Sequence, residues 1–93
     1  MIQSFANKGT ERLWNRERVR SIDSRIHSVA LCKLRQLAYV QSLEELRIPQ
    51  GNRLEALKGD RRGQHSIRIN SQWRICFRWT AAGPDEVEIV DYY

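Results

Sequence analysis

The sequence predicts a small α+β fold, in which helices pack on one face of a mostly antiparallel sheet in the order β-α-α-β-β-β-β. Three patterns predict it: an apolar stripe with helical spacing over residues 22–40, two runs of period two over 65–70 and 73–79, and a strand-like segment at 87–92. Ninety-three residues suit one domain with a modest core. We therefore expect residues 1–93 to form a single domain.

The first two predicted elements precede the longest helix. Residues 2–5 alternate apolar and polar side chains and are predicted to form a strand. Asn7 is a suitable N-cap for a short helix that runs through residue 16, with Leu13 and Trp14 on its buried side.

The longest helix is predicted to begin after Ser21 and to end near Val40. Ser21 is a favourable N-cap, and Asp23 suits the positive end of the helix dipole. The predicted buried stripe of this helix comprises Ile22, Ile26, Val29, Ala30, Leu34, Leu37 and Ala38. Ser42 is predicted to cap a further helical turn, with Glu45 as the acidic residue of a capping box.

A hairpin is the clearest pattern in the second half of the chain. Its apolar face comprises His65, Ile67, Ile69, Trp73, Ile75, Phe77 and Trp79. Its other face, expected to be wet, comprises Ser66, Arg68, Asn70, Arg74, Cys76 and Arg78. A three-residue turn at 70–72 is predicted, because a two-residue turn would move the apolar side chains of the first strand to the wet face. This register places Ile67 opposite Ile75 and Arg68 opposite Arg74.

Shorter segments flank the hairpin. Residues 53–57 are predicted to form one strand, residues 81–84 a turn, and residues 87–92 the last strand. Acidic residues at the ends of the last strand are expected to form a patch separate from the basic surface; they are Asp85, Glu86, Glu88 and Asp91.

Basic residues are concentrated in and before the hairpin. Residues 47–78 contain eight basic and two acidic side chains, including a glycine-flanked basic loop at 58–63. Arg68 opposite Arg74 costs roughly 0.2–1 kcal/mol, which an anion bound between them would offset. The net charge is +5, and the arginine fork suits phosphate. No strongly apolar amphipathic helix favours binding to a membrane. These patterns therefore predict a surface that binds the phosphate backbone of a nucleic acid.

Several other classes of protein are not expected. No run approaches the length of a transmembrane helix, and residues 1–5 lack the features of a signal peptide, so a cytoplasmic protein is predicted. Cys32 and Cys76 lie far apart in apolar surroundings and are predicted to be buried thiols. His27 and His65 lack ligand spacing, so neither a metal site nor a cofactor is expected.

Three segments resemble a known family: MIQSFANKGTERLW, GNRLEALKGDRRGQHSIRINSQWRICFRW and EVEIVDYY. They resemble the HigB-type toxins of the RelE/ParE superfamily of bacterial toxin–antitoxin proteins, nearly end to end. The resemblance implies a microbial-ribonuclease-like fold and an mRNA endonuclease that acts in the ribosomal A site, inhibiting translation and growth. It also implies a HigA-like helix-turn-helix antitoxin as partner, with operator DNA contacted only through the complex with that antitoxin.

The chemistry of such an enzyme assigns roles to residues of this chain. Metal-free cleavage needs the 2′-hydroxyl deprotonated, the charge on the phosphorane stabilised and the leaving 5′-oxygen protonated. The predicted catalytic residues are Arg74, Asp91, Tyr92, Tyr93 and Glu55, with Arg74 holding the phosphate and the other four as candidates for proton transfer. The predicted RNA-binding residues are Lys58, Arg61, Arg62, Arg68 and Arg78.

The chain departs from the family pattern at two positions. HigB-like chains usually end Asp-Tyr-His, whereas this one ends Asp91-Tyr92-Tyr93, and some relatives have histidine where this chain has Glu55. Histidine titrates near neutral pH, whereas unperturbed tyrosine and glutamate have pKa values of about 10 and about 4.3. Three hypotheses therefore stay open: a ribosome-dependent ribonuclease, a ParE-like gyrase inhibitor, and a catalytically weakened nucleic-acid-binding homologue.

Overall fold

The structure of the protein is a computed structural model that describes residues 1–91. It contains two α-helices and a four-stranded antiparallel sheet. The elements are α1 (Lys8–Trp14), α2 (His27–Tyr39), β1 (Glu55–Ala56), β2 (His65–Arg68), β3 (Trp73–Thr80) and β4 (Gly83–Asp91). Short 3-10 turns lie between them at Ser24–Ile26, Leu43–Arg47, Gln50–Asn52 and Gly59–Arg61. The predicted α+β class is confirmed. Within residues 1–91, neither helix has the length and apolar composition that crossing a bilayer requires.

The helices cover one face of the sheet. The strand order is β1-β2-β3-β4, and Ile67, Ile75 and Ile89 are register partners across the last three strands. Their side chains join Leu34 and Leu37 of α2 in one apolar core. A fully buried side chain of this size contributes roughly 1.5–3 kcal/mol relative to an exposed one. The opposite face of the sheet therefore remains for polar side chains.

The hairpin has the predicted register. Arg68 pairs with Arg74, and a turn at 70–72 joins β2 to β3. Asn70 stabilises this turn, because its Oδ1 accepts hydrogen bonds from the backbone N–H groups of Gln72 and Trp73, each at 2.8 Å. An asparagine side chain that replaces a backbone acceptor in this way is typical of tight turns.

Residues 2–5 pair with the sheet but do not form a full strand. Phe5 makes a single parallel bridge to Val87, and backbone hydrogen bonds join Gln3 to Pro84 and Ser4 to Val87. The neighbouring part of β4 contains a register shift, and Glu86 there has a φ of 51°. This irregular edge explains why the predicted first strand is limited to one bridge.

Helix α1 protects the edge of β4. Asn7 is its N-cap, as predicted, and accepts a hydrogen bond from the Thr10 backbone N–H at 2.8 Å. The hydroxyl of the fully buried Thr10 accepts a hydrogen bond from the Ile89 backbone N–H at 3.0 Å. Because an edge strand presents unpaired backbone groups, this contact satisfies one of them within the fold.

The start of α2 differs from the prediction. Asp23, not Ser21, is the first cap, and it precedes the 3-10 turn Ser24–Ile26 before α2 begins at His27. Hydrogen bonds from the Arg25 side chain and backbone N–H lower the pKa of Asp23 to about 2. Ser21 was the wrong choice because the residue that caps a helical turn must have its side chain aligned with the free N–H groups, which spacing alone does not show.

Val29 was wrongly assigned to the buried stripe of α2. Its side chain is 46% exposed, whereas Ile26, Ala30, Leu34 and Leu37 are buried. Successive residues of a helix lie about 100° apart, so Val29 lies beside the buried Ala30 at the margin of the apolar stripe. Only residues near the centre of the stripe reach the sheet.

The segment between α2 and β1 is fastened to α2. As predicted, Ser42 and Glu45 form a capping arrangement, in which the Glu45 carboxylate accepts the backbone N–H groups of Gln41 and Ser42 at 2.7 and 2.8 Å. These hydrogen bonds lower the pKa of Glu45. The fully buried Asn52 donates to the Leu46 carbonyl at 3.1 Å and accepts from Lys33 of α2. These contacts set the position at which the chain enters β1.

Gly83 is predicted to tolerate no side chain. Its φ is 129°, and a Cβ atom there would lie 2.3 Å from the Met1 carbonyl oxygen. Backbone strain of this kind costs about 1–3 kcal/mol, before the contact with Met1 is counted. We expect Gly83→Ala to lower the free energy of unfolding by at least this amount, measured by chemical denaturation.

Two other glycines separate the causes of that loss. Gly51→Ala is the matched control, because nothing lies within 4 Å of its Cβ position. Gly59 has a φ of 64° and equally open surroundings, so Gly59→Ala reports strain alone. Equal stability of Gly83→Ala and Gly51→Ala would contradict the prediction.

Candidate functional site

Two rows of side chains cross the sheet on the face that the helices leave open. Register partners on adjacent strands share a face, and side chains alternate between faces along each strand. The first row is Glu55, Ser66, Cys76 and Glu88, and the second is Arg68, Arg74 and Val90. We call these rows and the neighbouring Arg61 and Arg78 the charged face.

Arg74 lies near the middle of the charged face. Its side chain is only 17% exposed, and its Nη1 donates a hydrogen bond to Ser66 Oγ at 2.9 Å. The same nitrogen lies 3.5 Å from the Glu55 carboxylate on β1. Since Ser66 is fully buried, the Arg74 guanidinium is held on a fixed support.

The guanidinium groups of Arg68 and Arg74 have different protein partners. Their positions are directly opposite, as predicted, but Arg68 Nε donates to the Asn70 carbonyl at 3.0 Å. Arg74 turns instead toward Ser66 and Glu55. These partners offset the like-charge register without requiring an anion between the two arginines.

The charged face is not wet in its centre, contrary to the prediction. Ser66 and Cys76 are fully buried. Burial raises the pKa of the Cys76 thiol, and the charges of Arg61, Glu88 and Arg74 lie close enough to influence it. A thiol with a raised pKa is a poor nucleophile at neutral pH. Cys76 is buried, as predicted, whereas Cys32 is exposed and its predicted burial is wrong.

The acidic residues of the last strand do not form a separate patch. Arg61 Nη1 lies 3.2 Å from the Glu88 carboxylate, and Arg78 Nε lies 2.7 Å from that of Glu86. The prediction was wrong because β4 lies beside β3 in the sheet, which brings Glu86 to Arg78, and because the Arg61 side chain also reaches β4. Asp85 accepts a hydrogen bond from the hydroxyl of Ser4, which lies along the edge of β4 that does not pair with β3.

Lys58 and Arg62 lie in the loop between β1 and β2. Both are exposed, and Lys58 lines a shallow depression that also includes Glu55. The 3-10 turn Gly59–Arg61 between them directs Arg61 back to the sheet, where its Nη1 also donates to Gln64 at 3.1 Å.

Asp91 is not on the same face as Arg74. It pairs with Trp73 in the ladder, so strand alternation places it on the helix side, and Gln72 donates to its carboxylate at 2.9 Å. Glu55 is the predicted proton-transfer residue that the structure brings next to Arg74. Tyr92 and Tyr93 lie outside the described residues.

Ser66 and Glu88 belong to the site but were not predicted. Ser66 was on the predicted hairpin face with Arg68. A small side chain with a hydroxyl on that face was the signal that could have indicated a buried hydrogen-bond partner for an arginine. Glu88 gave no signal, because its pairing with Arg61 joins parts of the chain 27 positions apart. No group of three metal-ligating side chains is found within the part of the chain that the structure describes.

The fold and the charged face define a small α+β protein that holds guanidinium groups beside carboxylates on an open antiparallel sheet. Residues 3–93 match the family described as RelE-like toxin of type II toxin-antitoxin system HigB, and the chain belongs to this family of HigB-like toxins. It is also 40% identical over 80 residues to Toxin HigB-1 of Vibrio cholerae serotype O1 (strain ATCC 39315 / El Tor Inaba N16961), which covers 85% of this chain and 84% of that protein. The resemblance in the sequence is thereby confirmed. A toxin of a toxin–antitoxin system implies an antitoxin partner.

Proposed function

We propose that this toxin is a ribosome-dependent endoribonuclease that cleaves translated mRNA and thereby inhibits translation and growth. The proposal depends on the position of Arg74, whose side chain is 17% exposed and whose guanidinium is supported by buried Ser66 on the sheet face that the helices do not cover. A preorganised donor of this kind stabilises charge that develops in a transition state, because it needs no rearrangement during the reaction.

The proposed reaction uses the RNA's own nucleophile. The 2′-oxygen attacks the adjacent phosphorus as its proton leaves, and the bond to the 5′-oxygen breaks as that oxygen gains a proton. The products are a 2′,3′-cyclic phosphate and a 5′-hydroxyl. Arg74 and Arg68 would hold the phosphate oxygens, since arginine binds them with paired donors. Lys58, Arg61, Arg62 and Arg78 would contact the flanking phosphates.

Four residues are candidates for proton transfer, and their positions relative to Arg74 support them to different degrees. Glu55 lies 3.5 Å from Arg74, so its carboxylate is close to the position proposed for the phosphate. Asp91 lies on the other side of the sheet at the end of β4 and would have to act from that edge. Tyr92 and Tyr93 follow directly and remain candidates from the sequence.

The proposed partners follow from the same reaction. The substrate would be mRNA in the ribosomal A site, which places the toxin in the cytoplasm. The antitoxin would be a HigA-like helix-turn-helix protein, and operator DNA would be bound only through the toxin–antitoxin complex.

Primer extension tests the proposed reaction. After brief expression of the toxin, we expect new 5′ ends inside the coding region of a reporter message. The matched control is the same message without a start codon, which should remain uncut because ribosomes do not translate it. Cleavage of both messages would contradict ribosome dependence.

The alternative functions give different results. A ParE-like toxin would produce no new RNA ends and would inhibit supercoiling by purified gyrase. A nucleic-acid-binding homologue without catalysis would show neither effect. Either pattern would overturn the proposed reaction.

A further inference from the structure

The net charge of the protein is unevenly distributed. Residues 1–40 contain eight basic and three acidic side chains, whereas residues 41–93 contain eight of each. The whole net charge of +5 therefore belongs to the half of the sequence that forms the helices. The half that forms the sheet is neutral, although it contains every residue proposed to bind RNA.

Two arginines of the charged face are paired with carboxylates. Glu55 lies 3.5 Å from Arg74, and Glu88 lies 3.2 Å from Arg61. A phosphate that bonds to either guanidinium must approach within a few ångströms of the paired carboxylate. Like charges at that distance repel. Glu88 also accepts a hydrogen bond from Arg61 that a phosphate would otherwise use.

Affinity for nucleic acid depends strongly on unpaired cations. Lysine and arginine gain binding free energy from RNA mainly by releasing the counterions condensed on its phosphates. An arginine that already has a carboxylate partner adds little to this gain, because the incoming phosphate replaces one anion with another. The charged face is consequently poorly suited to capture an RNA strand that nothing else holds.

We infer that Glu55 and Glu88 are specificity-determining residues that weaken binding of free RNA at the charged face. Their carboxylates keep Arg74 and Arg61 paired until an RNA strand held by other contacts brings its phosphate into place. This inference rests on the proposed function, and it supplies a reason why a ribonuclease of this kind spares RNA outside the ribosome.

Binding of free RNA tests the inference without any need for cleavage. The probe is a short dye-labelled RNA, an oligouridylate whose 2′-hydroxyls are all methylated so that they cannot attack the phosphates. Binding is followed by fluorescence anisotropy. We expect Glu55→Gln and Glu88→Gln each to tighten binding by about fivefold or more, the effect of removing one like charge about 4 Å away in water. Each variant should also show a steeper loss of affinity with salt.

A matched variant separates local repulsion from net charge. Glu44→Gln raises the net charge by the same amount, but Glu44 lies on the 3-10 turn Leu43–Arg47 and pairs there with Arg47. Because salt screens charges beyond roughly 8–10 Å, its effect should be small. Thermal unfolding confirms that each variant is folded, and the two glutamates are tested separately so that one misfolded variant leaves the other informative.

Two results would overturn the inference. One is an equal gain in affinity for Glu44→Gln, Glu55→Gln and Glu88→Gln, which would show an effect of net charge alone. The other is a double variant at Glu55 and Glu88 that binds the probe no tighter than the unchanged protein. A failure of the proposed nuclease function would appear separately, as a lack of message cleavage with the effects on binding intact.

Discussion

Replacing Arg74 with alanine is expected to lower ribosome-dependent cleavage by about 10²–10³-fold, the effect of removing one donor to a developing oxyanion in other enzymes. The fold holds the Arg74 guanidinium through a hydrogen bond to buried Ser66 and places it near Glu55. The rate of message cleavage by primer extension measures the loss, and recovery of growth should accompany it.

Two further variants make the Arg74 result specific. Arg47→Ala removes the same charge from an exposed pair with Glu44 outside the sheet and should leave cleavage unchanged. Arg74→Lys keeps the charge but loses the planar fork, so it should recover little activity. Arg74→Ala also leaves Ser66 Oγ without the hydrogen bond from this charged donor, which is worth about 1.5–3 kcal/mol, and unfolding must therefore be measured. A folded Arg74→Ala protein with full toxicity would contradict the site assignment.

Tyr93→His should raise RNA cleavage by on the order of 10²–10⁴-fold if the end of the chain transfers protons. Imidazole exchanges protons near neutral pH, whereas an unperturbed tyrosine with a pKa of about 10 does so poorly. The rate of cleavage of a translated message is the measurement. Asp91→Ala or Tyr92→Ala in the Tyr93→His background should reverse the gain.

Tyr93→Phe is the matched control, because it keeps the ring and removes the hydroxyl. Reduced cleavage by this variant would show that the native hydroxyl already contributes. If Tyr93→His changes nothing while Arg74→Ala abolishes cleavage, the terminal residue has no part in catalysis. Proton transfer would then belong to Glu55, Asp91, the RNA or the ribosome.

Much of the architecture could be predicted because it depends on local spacing. Alternation in the hairpin leaves one register that buries Ile67 and Ile75 together, and this register is observed. The helical spacing of Leu34 and Leu37 likewise predicted the face of α2 that meets the sheet. Element boundaries were less predictable, as the cap at Asp23 shows, because several polar residues near a helix start satisfy the same rules.

The candidate site was only partly predictable from the sequence. Arg68, Arg74 and Arg78 were identified from alternation, and their shared face follows from the same register that buries the core. The support of Arg74 by Ser66 was missed, because it depends on which of several rotamers a long side chain adopts between two strands. Asp91 was grouped with Arg74 by chemistry, but strand alternation places it across the sheet.

The sequence by itself determined the α+β fold, the hairpin register and the family, because each depends on residue types at short or fixed spacings. Only the tertiary structure decided which arginines of the charged face lie beside carboxylates. Arg61 meets Glu88, and Arg74 meets Glu55, after the chain has folded β1 and β4 against the hairpin. The physical reason is that Coulomb interactions act through space, so the charge of a surface depends on which strands become neighbours.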